Sequence, residues 1–260
     1  MTSTSVRRHR ATGLVVLLGA LVMTGVGYAA VSGTAEAAAP EASQQQVEQG
    51  RQLFLEGCAT CHGLGAQGSS DGPSLIGVGA AAVDFQVTTG RMPLAQPANQ
   101  APRKVPTYTL EMVTALAAYV ATLGPGPSIP SESDLATGDA SLAEGGTLFR
   151  TNCAQCHNFA GRGGALSDGK YAPNMMKATP REIYEAMLTG PQSMPNFSNA
   201  TMPTAQKQAI IKYIAYLQSS SDPGGLALGS YGPVTEGMFI WTAGIGALLA
   251  ASVWIGAKVR

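Results

Sequence analysis

Cys58-Ala-Thr-Cys61-His62 and Cys153-Ala-Gln-Cys156-His157 decide how the rest of the chain is read. Each has the form C-x-x-C-H, the attachment signature of a c-type haem. The two cysteines of such a motif add across the haem vinyl groups as thioethers, and the histidine reaches the iron from the same turn of helix. The spacing has a geometric cause. Sulfurs three residues apart lie on one helical face, and the next residue can turn its imidazole to the metal. Cys58, Cys61, Cys153 and Cys156 are therefore the candidate covalent attachment points for two c-type haems, with His62 and His157 as iron ligands.

The two motifs use all four cysteines of the chain, and His9 is the one histidine outside them. It sits in a basic run, so the motif histidines remain as haem ligands. Rival chemistries fit less well. A tetrahedral zinc site would have to gather thiolates from two distant motifs. A thioredoxin-like pair needs a βαβ setting, and no strand pattern surrounds either motif. Structural disulfides suit an oxidising compartment, but they leave the histidine after each pair unexplained.

A length of 260 residues allows one or two domains. Only 12% of residues are charged and 45% are hydrophobic, which suits a chain partly in lipid. The formal net charge is zero, so nothing points to nucleic acid as a partner. Residues 1–31 contain Arg7, Arg8, His9 and Arg10, then an apolar run of the length that spans a bilayer. The arginines place its start in the cytoplasm. The run reads as a retained anchor, and the competing reading is a signal segment cleaved at Ala35-Glu36-Ala37. Residues 32–46 look like a flexible tether.

A second apolar run, 237–257, contains no charge and is followed by Lys258 and Arg260. It reads as a transmembrane helix with its C-terminus in the cytoplasm. Ala243, Ala247 and Ala251 recur every fourth residue beside Gly246 and Ala250. Such a stripe of small residues admits a close neighbouring helix; a lone anchor in an alanine-rich protein is the other reading. Everything between the two runs is expected outside the cytoplasm, where haem c is attached.

That exported part is an internal repeat. Gly50-Arg-Gln-Leu-Phe54 precedes the first motif and Gly146-Thr-Leu-Phe149 the second. Val83 to Pro93 answers Ile183 to Pro195, each passing through Thr-Gly to a Met-Pro pair. Each half closes with an amphipathic helix: Leu110, Val113, Leu116, Ala117, Val120 and Leu123 in one, Ile210, Ile211, Ile214 and Leu217 in the other. The order is helix, C-x-x-C-H, glycine-rich loop, Met-Pro loop, closing helix, and the fold class is all-α. The halves are 47–123 and 142–219, joined by a Pro/Gly-rich linker at 124–141, and a second linker at 220–236 leads to the anchor. Domains of about 80 residues are small for an independent core. Covalent haem supplies the missing apolar bulk, so the apo-domains should be poorly folded.

No histidine is left for the sixth iron position. Met92 and Met194 stand at matching places in the repeat, each before a proline. A thioether is a soft ligand suited to haem iron, and a His/Met pair raises the reduction potential. Methionine also fills core gaps, which is the alternative role for this pair. Met112, Met175, Met176 and Met202 rank lower as ligands.

Each half resembles a class I cytochrome c. The whole layout resembles the dihaem cytochrome c subunit of the actinobacterial menaquinol–cytochrome c reductase, the cytochrome bcc complex. The likeness rests on the two C-x-x-C-H motifs, the Thr-Gly-Arg-Met-Pro and Thr-Gly-Pro-Gln-Ser-Met-Pro loops and the C-terminal apolar run. It implies that a proline carbonyl downstream of each haem motif accepts a hydrogen bond from the ligating histidine. Pro73 and Pro173 are the matching residues, and Pro173 lies five residues further from its histidine.

The likeness also implies partners: a cytochrome b subunit, a Rieske iron–sulfur subunit and a cytochrome c oxidase. Electrons would pass from the Rieske centre through both haems to the oxidase, in a quinol-oxidising translocase of the cell membrane. Residues 47–123 hold five acidic and four basic side chains, residues 142–219 four and seven. That imbalance suits an acidic docking partner on the second half. A membrane-tethered dihaem carrier or oxidase subunit outside a quinol reductase would share the haem domains but need not have the C-terminal helix. A dihaem peroxidase needs an open haem face, which the paired Met-Pro loops oppose.

Overall fold

The computed structural model describes residues 4–32, 42–220, 228–230 and 232–258. The Ala35-Glu36-Ala37 site, most of the proposed tether, much of the second linker and Arg260 lie outside the described residues. Taken by itself, α1 (Thr4–Ser32) is one helix whose apolar stretch runs Gly13–Gly27.

From residue 42 the chain builds two similar helical domains. The first contains α2 (Gln44–Gly57), α3 (Ala59–His62), α4 (Gly79–Thr88) and α5 (Leu110–Ala121). A short α6 (Glu132–Leu135) leads to the second. That domain has α7 (Leu142–Asn152), α8 (Ala154–His157), the strands β1 (Gly164–Ala165) and β2 (Tyr171–Ala172), then α9 (Pro180–Thr189) and α10 (Thr204–Ser219). The closing α11 (Pro233–Lys258) is apolar and long enough to cross a membrane. Glu236 in its first turn and Lys258 in its last complement the helix dipole. Lys258 lies over the Trp254 ring at 4.8 Å, a pairing suited to a membrane interface.

Helix starts follow local chemistry. The side chains of Ser43, Thr109 and Ser141 accept the N–H groups of Gln46, Met112 and Glu144. Both α4 and α9 are absent from the sequence reading, which treats these segments as loop. For α9 the signal is present: Thr179 and Glu182 form a capping box with Pro180 in the first turn. For α4 there is none, since Val78 caps with no side-chain hydrogen bond.

In each domain the first helix crosses the last, α2 over α5 and α7 over α10. Glycine makes the crossing possible. A Cβ on Gly50 would lie 1.9 Å from the Ala115 carbonyl oxygen, and one on Gly145 1.9 Å from that of Ala209. Gly145 is thus the counterpart of Gly50, in place of the Gly146 that the sequence alignment pairs with it. One turn on, Phe54 and Phe149 are fully buried, with Tyr119 and Tyr213 rings 5.3 and 5.4 Å away. On α5 the buried face is Val113, Leu116, Ala117 and Val120, whereas Leu110 is exposed. Leu110 follows the helical rhythm, but it is the first residue of α5 and stays exposed.

The Pro/Gly-rich connection is not a free linker. The Ala81 N–H donates to the Pro127 carbonyl (3.1 Å), while Leu135 packs on the second core. Lys212 donates to the Gly138 and Ala140 carbonyls at 3.0 and 2.7 Å.

The domains themselves are docked. Helix α4 of one packs on α9 of the other. Arg103 makes a two-pronged pair with Glu182 at 2.9 and 2.7 Å. Gln100 pairs with the backbone N–H and carbonyl of Tyr171 as a strand would, and Gln192 does the same to Ala101. At the α4–α9 seam Arg181 reaches the buried carboxylates of Asp84 (2.8 Å) and Glu185 (3.3 Å).

Candidate haem sites

Both attachment motifs are built alike. The N–H of Cys58 donates to the Phe54 carbonyl at 2.8 Å, ending α2, and the His62 N–H donates to the Cys58 carbonyl at 2.9 Å, turning α3. The same bonds recur from Cys153 to Phe149 (2.8 Å) and from His157 to Cys153 (2.9 Å). Each motif is one helical turn set at a bend, so its cysteines and histidine share a face. Cys58 and Cys153 pack against the two hydrophobic cores, while Cys156 is exposed. Burial pushes the Cys58 and Cys153 thiols up to about 11, helped by the neighbouring Cys61 and Cys156. A reactive redox pair needs the opposite shift. Among the described residues, no three His, Cys, Asp or Glu side chains converge as a metal cluster.

The histidines are oriented by proline carbonyls. Nδ1 of His62 lies 2.7 Å from the Pro73 oxygen and Nδ1 of His157 3.0 Å from that of Pro173. A carbonyl only accepts, so Nδ1 carries the proton in both rings and Nε2 keeps its lone pair for a metal. Burial also lowers the His157 pKa, favouring the neutral ring, although the Pro173 bond opposes it.

The five extra residues before Pro173 are taken up by the β1–β2 hairpin, which pairs Gly164 with Ala172 and Ala165 with Tyr171. The N–H groups of Gly68 and Gly163 return to the His62 and His157 carbonyls at 2.7 and 2.9 Å, so the insertion lies wholly beyond that point. Two-residue strands carry no alternation that sequence reading can detect. The hairpin has a second role, because its Tyr171 is the residue that Gln100 grips.

Met92 and Met194 are both half-buried, each in the loop after α4 or α9. The glycines before them, Gly90 and Gly190, have φ of +67° and +58°. This left-handed turn ends the helix and sends the chain into the Met-Pro loop. Met194 packs at the edge of the second core, whereas Met202 is one of its buried members. Met175 also packs there, Met176 is half-buried, and Met112 lies half-buried on α5.

The residues present fit a haem in each domain. Cys58 packs against a buried apolar cluster of Phe54, Ala59, Ala66 and Leu116, and Cys153 against one that includes Phe149, so an attached haem would meet an apolar wall in each domain. Three buried polar atoms have no partner among the described residues: Gln86 Oε1, Arg91 Nη1 and Arg162 Nε. Arg91 stands next to Met92 and Arg162 five residues after His157. Sequence reasoning assigned none of the three a role: Gln86 and Arg91 fall within the repeated stretch that ends in Thr-Gly-Arg-Met-Pro, and Arg162 lies outside any motif. Burial lowers the Arg91 pKa, as does the charge of nearby Arg103. The Glu182 carboxylate opposes that shift, but a buried N–H without an acceptor is costly, and a haem brings two carboxylates.

Tandem helical domains, each with a C-x-x-C-H turn against its core, define a membrane-associated dihaem protein of the class I cytochrome c type. Residues 47–124 match the family described as "Cytochrome c", and residues 140–214 match "Cytochrome C oxidase, cbb3-type, subunit III". The chain is 46% identical over 258 residues to the cytochrome bc1 complex cytochrome c subunit of Mycobacterium tuberculosis, spanning 96% of this chain and 92% of that one. It is 45% identical over 267 residues to the protein of that description from Corynebacterium diphtheriae, spanning 96% and 95%. With the Mycobacterium leprae protein identity is 43% over 252 residues, 95% and 87% of the two chains. The chain belongs to the family of cytochrome bc1 complex cytochrome c subunits, and it carries two covalently attached c-type haems.

Proposed function

We propose that this chain is the electron-carrying subunit of a quinol-oxidising translocase. It would receive electrons from a Rieske iron–sulfur subunit beside a cytochrome b subunit and deliver them to a cytochrome c oxidase. The observation that carries this reading is the docking of the two domains. Arg103–Glu182, Gln100–Tyr171, Gln192–Ala101 and the α4–α9 seam fix one haem pocket against the other. Two pockets in one body replace a diffusing carrier between reductase and oxidase.

Each bound haem supplies a one-electron couple. Cys58 and Cys61, and Cys153 and Cys156, hold the two groups covalently, so neither is lost in turnover. His62 and His157 offer Nε2 to the iron, held by Pro73 and Pro173; such a bond raises the basicity of the ligand. Met92 and Met194 would offer thioether sulfur to the iron, and so soft a donor would favour a high potential. Arg91 and Arg162 would hold haem propionates, which supply the acceptors that Arg91 Nη1 and Arg162 Nε lack. The domains divide as 47–123 and 142–219. Both lie outside the cytoplasm, with α11 crossing the membrane and the C-terminus inside.

Solubilisation in mild detergent tests the assembly. Cytochrome b, Rieske and oxidase subunits are expected to co-purify with the chain. A chain that purifies alone with both haems would instead be a tethered carrier.

A further inference from the structure

The loop that carries Met194 runs from Gly190 to the start of α10 and is tied down at several points. The Phe197 N–H donates to the Met187 carbonyl at 2.7 Å, and the Met202 N–H to that of Ser198 at 2.8 Å. One tie is of another kind. Lys207 on α10 is fully buried, and its ammonium donates to Asn199 Oδ1 at 2.9 Å and to the Met202 carbonyl oxygen. The same ammonium lies 5.5 Å from the centre of the Tyr184 ring on α9. Lys207 thus joins both helices that flank the loop to two points within it.

A buried ammonium is an expensive way to fill space, and the repeat shows that the space does not require it. Counting back two residues from Ala209 and Ala115 puts Val113 opposite Lys207, also buried. In the first domain the Met-Pro loop is tied by an exposed lysine, with Lys104 Nζ donating to the Pro93 carbonyl at 2.9 Å. Burial takes the second tie out of competition with water, so its hydrogen bonds hold more firmly.

We propose that Lys207 is the positioning residue for Met194: its buried ammonium holds the 190–203 loop against α10 and so keeps the methionine sulfur on the iron of the second haem. The inference rests on the reading of Met194 as that ligand. A side chain that merely filled the core would influence stability and leave the ligand alone.

The test uses the full-length dihaem protein in detergent. Lys207→Met keeps the length of the side chain and removes the donors. Carbon monoxide association with the second ferrous haem is expected to rise about tenfold or more, the factor carried by one lost charge-assisted hydrogen bond. The ferric sulfur-to-iron charge-transfer band should lose part of the second haem's share, and that haem's potential should fall. The first haem, with Val113, should not respond. Lys207→Gln returns an N–H donor and is expected to recover part of the band; equal loss in both variants overturns the hydrogen-bond basis.

Where Lys207→Met fails to accumulate, Asn199→Ala removes one acceptor at an exposed position and should give a smaller change in the same direction. Wild-type carbon monoxide kinetics, band and potential in Lys207→Met, or in Asn199→Ala where it stands in, overturn the inference. Met194→Ala separates the two ideas. If it keeps the full band, the ligand reading fails; if it loses the second haem's share while Lys207→Met keeps it, only the positioning role fails.

Discussion

Gly145→Ala sets two physical effects against each other. Alanine in a helix interior is favoured over glycine by about 0.5–1 kcal/mol, so propensity alone predicts stabilisation. The added Cβ, however, would sit 1.9 Å from the Ala209 oxygen and 2.5 Å from its carbonyl carbon. Restoring ordinary contact forces α7 and α10 apart by roughly 1.5 Å, which opens the packing around the fully buried Phe149. Overpacking of this kind costs about 1–3 kcal/mol, and the separation removes dispersion contacts as well. The net expectation is a loss of about 1–2 kcal/mol, or roughly 5–15 °C in the melting of a domain this small. Thermal melts followed by Soret circular dichroism would read it. Gly50→Ala should act in the same way on the first domain, whereas Gly138, with nothing within 4 Å of an added Cβ, should tolerate alanine. A Gly145→Ala protein that melts at or above the wild-type temperature would refute the crossing geometry.

The α4–α9 seam gives a pH prediction. Burial and the adjacent Asp84 raise the Glu185 pKa from 4.5 to about 9, with Arg181 opposing. The folded state therefore keeps a proton that the unfolded chain releases near 4.5, so this stability is full below that pH and lost as pH rises toward 9. Glu185→Gln keeps a hydrogen-bonding side chain without the titration. Its urea midpoint should vary less than that of the wild type between pH 5 and 9, and parallel profiles would exclude the mechanism. Met92→Ala should remove the first haem's part of the sulfur-to-iron band and lower that haem's potential while covalent attachment persists; an unchanged band would point to another ligand. Ending the chain after Ser220 removes α11 but no haem residue, so both haems should stay attached while assembly with membrane partners is lost. Normal co-purification of the shortened chain would show that α11 is dispensable for assembly.

The sequence by itself determined most of what local bonding or simple periodicity sets, the capped helix α9 excepted. The C-x-x-C-H spacing names the cofactor because attachment needs only one turn of helix. The α5 and α10 faces show because Val113, Leu116, Val120 and Ile210, Ile214 keep a helical rhythm. The apolar run of α11 shows because lipid demands uninterrupted length. Tertiary structure decided what depends on residues far apart in the chain. Helix α4 carries no cap of its own and is held by α5 and α9. Gly145, and not Gly146, is the crossing glycine because only its Cβ position faces the Ala209 carbonyl. The 124–141 segment reads as a loose linker from its prolines and glycines, yet Pro127, Leu135 and the Lys212 bonds fasten it to both domains. Arg91, Arg162 and Lys207 look like ordinary surface charges in the sequence, since charge alone does not tell depth. Only packing from several elements takes their nitrogens out of water, and that is what obliges each to find a partner.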